Sequence, residues 1–533
     1  MSQSQQQHAA AASGPMNLLA TAAEMLSGSL GKIGDARETV SPSLVGENYN
    51  EEEDTSQDAP SSTLAVEGLL ANEMEKLSLN EREEIDDQIH GFSSLAAQES
   101  SPELIEDALI AMDNELKKLP SSKLTQAFQK GIDMNSAYLH DKAFRLKFLR
   151  AEKFHAQKAA SRFCKWLNVL HVHFGDAALQ RPLFMSDLGK EEMKLLRIGS
   201  AQFLGSRDRC GRRVAIFLDS MGGSDKFSLK VSVYLFSAIS DDELTQQYGL
   251  VFVMKPNFDF KQMMDSDQQR QSEEFLDGMP LRYTAFHMWM FPEDTAESSA
   301  LQAIIRGLVL LALGKERRML TRIHTGPRTE IEYQLRNKYG IPTSEIPLTS
   351  SGKIKTNYLT TWINYQKSVD DYRKLNGNHQ PSSLVGVECP DFRSIVFRRQ
   401  YNAGSMILDI NKHPPNKVFD NILASRVEEF TSIRPDYQIK IVESIIHEAH
   451  QMSFCFLTWN KNYGWYVELC NPNGDMDKAE RPQLREFVNR AMKDHIKRTK
   501  ARKNEQINTD SNKEGLFVAQ YGKKQKKVCK RTN

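Results

Sequence analysis

The segment Pro280-Leu-Arg-Tyr-Thr-Ala-Phe-His-Met-Trp-Met-Phe291 and, after an acidic turn, Ser299-Ala-Leu-Gln-Ala-Ile-Ile-Arg-Gly-Leu-Val-Leu-Leu-Ala-Leu-Gly314 decide the reading of this chain. Residues 281–291 are aromatic or apolar at both alternating sets of positions. A strand of that kind belongs in the interior of a sheet covered on each side. In the second half, Leu301, Ile304, Ile305, Leu308, Leu311 and Ala312 make one helical face, while Val309, Leu310 and Leu313 fill most of the other. A helix apolar nearly all round must be dry on both sides. The core can cover one side. A second layer or a bound apolar molecule can cover the other, and the pattern leaves both accounts open.

The 533 residues are too many for one ordinary core and imply several domains. The formal net charge is zero but unevenly spread. Residues 1–119 hold 6 basic and 23 acidic side chains, and residues 493–533 hold 13 basic and 4 acidic. An acidic head able to meet protein partners and a basic tail able to meet phosphates follow from that polarity. The six cysteines have no paired spacing, as expected of reduced thiols in a cytoplasmic or nuclear protein. The N-terminus lacks a basic region followed by an apolar run, so no secretory signal is expected. The apolar 301–314 stretch would be about 20 Å long as a helix, short of a membrane's hydrocarbon core.

Residues 1–65, rich in Gln, Ala, Ser and acids, offer too little apolar surface to offset the entropy of ordering them. A helical unit is expected over 66–180. It opens with the capping box Ser78-x-x-Glu81 and continues with Ser101 capping a helix that starts at Pro102. From 186 to 368 the pattern alternates. Strands are expected at 211–218, 249–254, 281–291 and 322–324, with helices at 231–247 and 328–339, the last closed by Gly340. Strands separated by helices indicate an α/β sheet with parallel members. A polar linker at 369–388 leads to a small α+β unit at 389–503. Helices are expected there at 417–430 and 437–451, followed by a hairpin at 454–469 and a basic helix from 481. A basic tail at 504–533 follows, with Lys523-Lys-Gln-Lys-Lys527 readable as a nuclear-import patch.

Phe148-Leu-Arg-Ala-Glu-Lys-Phe154 resembles the helical N-terminal signature of CRAL-TRIO proteins, the family of phosphatidylinositol and tocopherol carriers. Gly211-Arg-Arg-Val214, Thr245-Gln-Gln-Tyr-Gly-Leu-Val-Phe252, Pro280-Leu-Arg282 with His287, and Gly340-Ile-Pro342 follow in that family's order. Leu77-Ser-Leu-Asn-Glu-Arg-Glu-Glu84 and Ser351-Gly-Lys-Ile-Lys355 are similar to its diatom-type branch. The resemblance spans residues 70–368. It implies a mixed sheet forming the floor of a pocket for one hydrophobic ligand, a phospholipid or isoprenoid-like lipid, beneath an apolar gate helix. The implied floor is Val251, Val253, Ala285, His287 and Trp289, and the implied gate contacts are Leu301, Ile304, Leu308 and Leu311. Lys315, Arg317, Arg318 and Arg322 would meet a phosphate at the pocket or a membrane surface, or form a solvated helix end. Where the family has Asp and Gly after the Val251 strand, this chain reads Met254-Lys-Pro-Asn257, and no headgroup set matches residue by residue.

The C-terminal unit more faintly resembles a diatom domain of unknown function. Phe397-Arg-Arg-Gln400 and His413-Pro-Pro-Asn416 stand where that domain has Gly-Arg-Gly and His-Pro-Gly-Asn, while Trp465-Tyr-Val467 fits better. Its basic helix (Lys493, Lys497, Arg498, Lys500, Arg502, Lys503) could contact nucleic-acid phosphates non-specifically. No nucleophile elbow, P-loop, zinc helix or metal-spaced Cys/His cluster occurs. The expectation is therefore a non-enzymatic, cofactor-free cytoplasmic protein that meets membrane surfaces peripherally and binds or transfers a lipid. A lipid-sensing scaffold and a nucleic-acid-associated protein are the rival readings.

Overall fold

A computed structural model describes residues 74–218, 228–255, 266–290, 310, 313, 315–377, 386–399, 406–408, 413–470, 481–502 and 504. These form a mixed α/β protein with two small mixed sheets. The helical unit comprises α1 (Leu79–His90), α2 (Pro102–Lys118), α3 (Gln126–Asp133), α4 (Lys142–Ala151) and α5 (Ala156–Phe174). Both expected caps are present. Ser78 and Glu81 close a reciprocal box on α1, and the Ser101 hydroxyl accepts from the Leu104 amide at the start of α2. In α5, Ala159, Phe163, Trp166, Leu167 and Leu170 face inward at helical spacing. Phe163 meets Phe144 and Phe148 edge-on, with centroids 5.5 and 5.1 Å away, and so locks α4 to α5.

After α6 (Lys190–Ile198) come β1 (Ala201–Phe203), β2 (Arg213–Leu218), α7 (Leu229–Ile239), α8 (Glu243–Tyr248) and β3 (Leu250–Lys255). Then follow α9 (Ser266–Gly278), β4 (Tyr283–Met290), α10 (Lys315–Leu320), β5 (Thr321–Thr325), α11 (Arg328–Tyr339) and α12 (Asn357–Asn376). The sheet order is β1-β2-β3-β4-β5, antiparallel between β1 and β2 and parallel thereafter. As the doubly apolar pattern of residues 281–291 requires, β4 is covered on both faces. On one face, Phe217, Phe252 and Phe286 stack across three strands with spacings of 5.7 and 4.8 Å, under α5, α7, α9 and α12. On the other, Val214, Ile216, Val251, Val253, Ala285 and Trp289 lie beneath Ile89 of α1 and Ile331, Leu335 and Tyr339 of α11.

Three expectations need correction. The helix expected over 417–430 is two, Pro414–Ser425 and Val427–Ser432, broken at Arg426. The helix expected over 231–247 is two helices, broken at Ser240-Asp241-Asp242. Asp241 turns inward to pair with Lys147 and Arg373, and Asp242 pairs with Arg207, so distant cations decide the break. The expected linker start at 369 lies inside α12, which runs on to Asn376 with Val369, Asp370 and Arg373 buried.

The second unit contains β6 (Ser394–Arg399), β7 (Met406–Leu408), α13 (Pro414–Ser425), α14 (Val427–Ser432), α15 (Gln438–Gln451), β8 (Cys455–Asn460), β9 (Trp465–Cys470) and a helix at 481–502. The expected hairpin is β8-β9. It is half of a four-stranded sheet of order β7-β6-β8-β9, in which β6 and β8 are parallel. Ile395, Phe397 and Phe456 bury against Phe419, Ile445, Val488 and Met492 from three helices.

Candidate functional site

The five floor residues come together. Val251 pairs with Ala285 and Val253 with His287 in adjacent parallel strands, and Trp289 lies two residues further along the same face. All five are at most 1 % exposed, sealed in the core beneath α1 and α11. His287 is hydrogen-bonded rather than open. Its Nδ1 lies 3.0 Å from Nε2 of His324, whose Nδ1 lies 3.2 Å from the Gln334 carbonyl oxygen. The gate residues Leu301, Ile304, Leu308 and Leu311 lie outside the described residues.

The four cations around α10 do not converge. Lys315 is exposed. Arg317 pairs with Asp277 at the end of α9. Arg318 is buried and donates to the backbone carbonyls of Leu310 and Leu313, and Arg322 donates to those of Met319 and Thr321. Arg318 and Arg322 thus cap backbone.

An open cleft of about 600 Å³ lies beside this group, between α1, the α4–α5 turn, the entry to β4, and α10. Leu77 just before α1, Ile85 of α1, and Met319 and Leu320 of α10 supply its apolar lining. Leu320 belongs to the core cluster that holds Val251, Val253, Ala285 and Trp289, and Ile85 packs against it, so the cleft and the floor share one apolar layer. Lys153, His155, Lys158, Arg162, Arg282 and Lys315 bring cations to it, and Glu81, Glu84, Glu152 and Glu316 bring carboxylates. Several of these neutralise one another, as in Lys153 with Glu84 and Arg162 with Glu152.

Arg282 is different. It is 6 % exposed, and among the described residues it has no carboxylate within ion-pair distance. Its guanidinium donates to the Ser93 hydroxyl at 3.2 Å and the Gln247 carbonyl at 2.9 Å, and Nε has no acceptor. Burial and then the neighbouring Arg212 pull its pKa down to about 10, against Glu84, so it stays charged at neutral pH. A buried cation without a counter-ion is costly, and an anion delivered to it is correspondingly favoured. In the sequence Arg282 stood out only within the Pro280-Leu-Arg282 match, and the signal that could have marked it is an arginine at the mouth of an otherwise apolar strand. Lys153, Lys158 and Ile85 carried no such signal, because only the fold brings α1 beside the α4–α5 turn.

The wall formed by α1 is anchored at its C-terminus. Arg212, itself fully buried against Asp208, donates to the carbonyls of Gln88 and Ile89 at 2.7 and 3.0 Å. Gly91 caps the helix at φ +83°, and a Cβ there would come within 2.9 Å of the Arg212 Nε. In the second unit, Arg498 is drawn to Asp420, while Lys493, Lys497, Lys500 and Arg502 stay exposed on the helix at 481–502.

Fold and site together define a two-sheet mixed α/β protein with an amphipathic cleft at the N-terminal end of β4 in its larger sheet. No family model matches the chain, and no curated protein matches it. Among the described residues no helix is long and apolar enough to cross a membrane, and no group of three or more His, Cys, Asp or Glu could hold a metal ion.

Proposed function

We propose that this chain binds one amphipathic lipid with an anionic headgroup and carries or presents it at membrane surfaces, in the manner of the CRAL-TRIO proteins it resembles. The observation that carries the reading is the cleft, with an uncompensated buried arginine beside an apolar wall continuous with the core. The headgroup would meet Arg282, with the exposed Lys158 and Lys315 at the rim. The chains would run past Ile85, Met319 and Leu320 toward Val251, Val253, Ala285 and Trp289, at a gain of about 0.8 kcal/mol per buried CH₂. Reaching that floor requires α1 or α10 to move, since Ile85 and Leu320 close the way.

Native mass spectrometry of the full chain, after incubation with vesicles of phosphatidylcholine, phosphatidylinositol and phosphatidic acid, tests the reading. A one-to-one adduct enriched in the anionic lipids is expected. Met319→Trp should abolish it, while Lys158→Glu with Lys315→Glu and, separately, Arg282→Gln should reduce the anionic preference. An apo mass from every vesicle, with the protein folded by circular dichroism, would overturn it.

A further inference from the structure

Three imidazoles surround one tyrosine beneath the cleft wall. Tyr339 of α11 stacks on His90 of α1 with centroids 5.3 Å apart, meets His287 of β4 at 4.4 Å and meets His324 of β5 at 5.7 Å. We propose that this cluster makes the docking of α1, and hence the width of the cleft, sensitive to acid. The consequence for lipid uptake rests on the function proposed above. The movement of α1 does not.

Hydrogen bonding fixes the neutral state. Gln334 donates its amide N–H to Glu330 at 3.4 Å and offers its carbonyl oxygen to His324. His324 must therefore donate from Nδ1, which leaves its Nε2 to accept from the Nδ1–H of His287. The remaining nitrogen, Nε2 of His287, is then an unprotonated lone pair, and it is buried without a partner. A proton arriving there finds no acceptor.

The charged groups around the cluster are mostly cations. Arg209, Arg212 and Lys338 face His90, opposed by Asp86 at 3.7 Å on the same helix. His324, Arg212, Arg322 and His90 face His287, and Lys338 and Arg322 face His324 beside Gln334. The buried carboxylate of Asp208 is engaged by Arg212. Burial first, and then these cations, hold all three imidazoles below their usual range. The sign follows. With α1 docked, the rings stay neutral, while a detached α1 frees His90 and uncovers His287 to take up protons below about pH 6.5. Docking is therefore fully favoured above that pH and weakens as pH falls. Because α1 supplies Glu81, Glu84, Ile85 and Gln88 to the cleft, its release opens that wall.

Hydrogen exchange of the full chain at pH 7.4 and 5.5, corrected for intrinsic exchange, reads the movement directly. Protection across Leu79–His90 should fall about tenfold per pH unit below 6.5 for each proton linked to opening, with α5 unchanged. His90→Phe keeps the stack on Tyr339 and cannot titrate, so it should reduce that slope. Protection of α1 that is independent of pH, an equal fall in α5, or an unchanged slope in His90→Phe would each overturn the proposal. Uptake of phosphatidic acid from vesicles at both pH values separates the two ideas. If α1 opens in acid but lipid is never taken up, the switch stands and the lipid reading fails.

Discussion

Asp370 shows how one buried group can work against the fold that holds it. It lies on α12, 4 % exposed, and accepts the Met185 amide at 2.6 Å. The nearest guanidinium, Arg373, is committed to Asp241 at 2.8 Å. Burial therefore pushes the Asp370 carboxyl up to about 6, despite the Met185 hydrogen bond and the pull of Arg373 and Lys374. A carboxyl whose folded pKa lies above its unfolded value costs stability at high pH, and the cost fades as pH falls through the folded pKa. Asp370→Asn retains an acceptor for Met185 and removes the charge. It should stabilise the protein by on the order of 2 kcal/mol at pH 7.5, with the difference shrinking toward zero near pH 4. Urea denaturation of both proteins at pH 7.5 and 4.5 measures this. A gain that is equal at the two pH values would mean that charge burial is not its source.

Elements were legible where their causes are local. The α2 span, the α11 span with its Gly340 cap, and β4 follow from caps and periodicity alone. The break between α7 and α8 did not, because Lys147, Arg207 and Arg373 reach it from elsewhere in the chain. The cleft was hidden for the same reason. Its lining comes from four separated segments, whereas the floor residues, which the family resemblance implied, share two adjacent strands whose alternation puts each set on one face. In the second unit, β6 was hidden too, since Phe397-Arg-Arg-Gln400 reads as a motif rather than a strand. The fold explains the neighbouring His413-Pro-Pro-Asn416. The Asn416 side chain accepts from the Val396 amide at 2.8 Å and donates to its carbonyl at 2.9 Å, next to Phe397, which pairs with Leu408 of β7. His413 lies 2.8 Å from the Ser394 carbonyl. Asn416 thus holds the β6 backbone at Val396 through its side chain, a role that needs no glycine in the motif. Asn416→Ala would leave two buried backbone groups of Val396 unsatisfied, at about 2–4 kcal/mol. Exchange of the β6 amides should rise accordingly, while α5 of the first unit keeps its protection. Unchanged β6 exchange would show that water satisfies the strand edge instead.

The two sheets behave as one molecule only if the segment between α12 and β6 transmits force. It is gripped from both sides. Toward the first unit, the Glu388 carboxylate accepts both contacts from Nη2 of Arg213 at 2.8 Å and the hydroxyl of Tyr358, and the Tyr365 hydroxyl donates to the Gly386 carbonyl at 3.1 Å. Toward the second, Val387 and Tyr466 exchange backbone hydrogen bonds of 2.8 and 3.0 Å, and Trp465 meets Tyr365 edge-on at 5.5 Å. Arg213 is 1 % exposed on β2, so Glu388 is its only means of neutralisation among the described residues. Removing one partner of such a pair costs about 3–5 kcal/mol, because the other stays buried and charged. Glu388→Gln keeps the shape and loses the charge. Scanning calorimetry should then show the first unit melting earlier and separately from the second, where the parent melts in one transition. Tyr358→Phe, which removes a single hydrogen bond, should cost only about 1 kcal/mol and leave the transitions merged. A parent that already melts in two steps would mean that the grip holds the units in place without coupling their stabilities, and the lipid proposed for the first unit could then not be felt by the basic helix of the second.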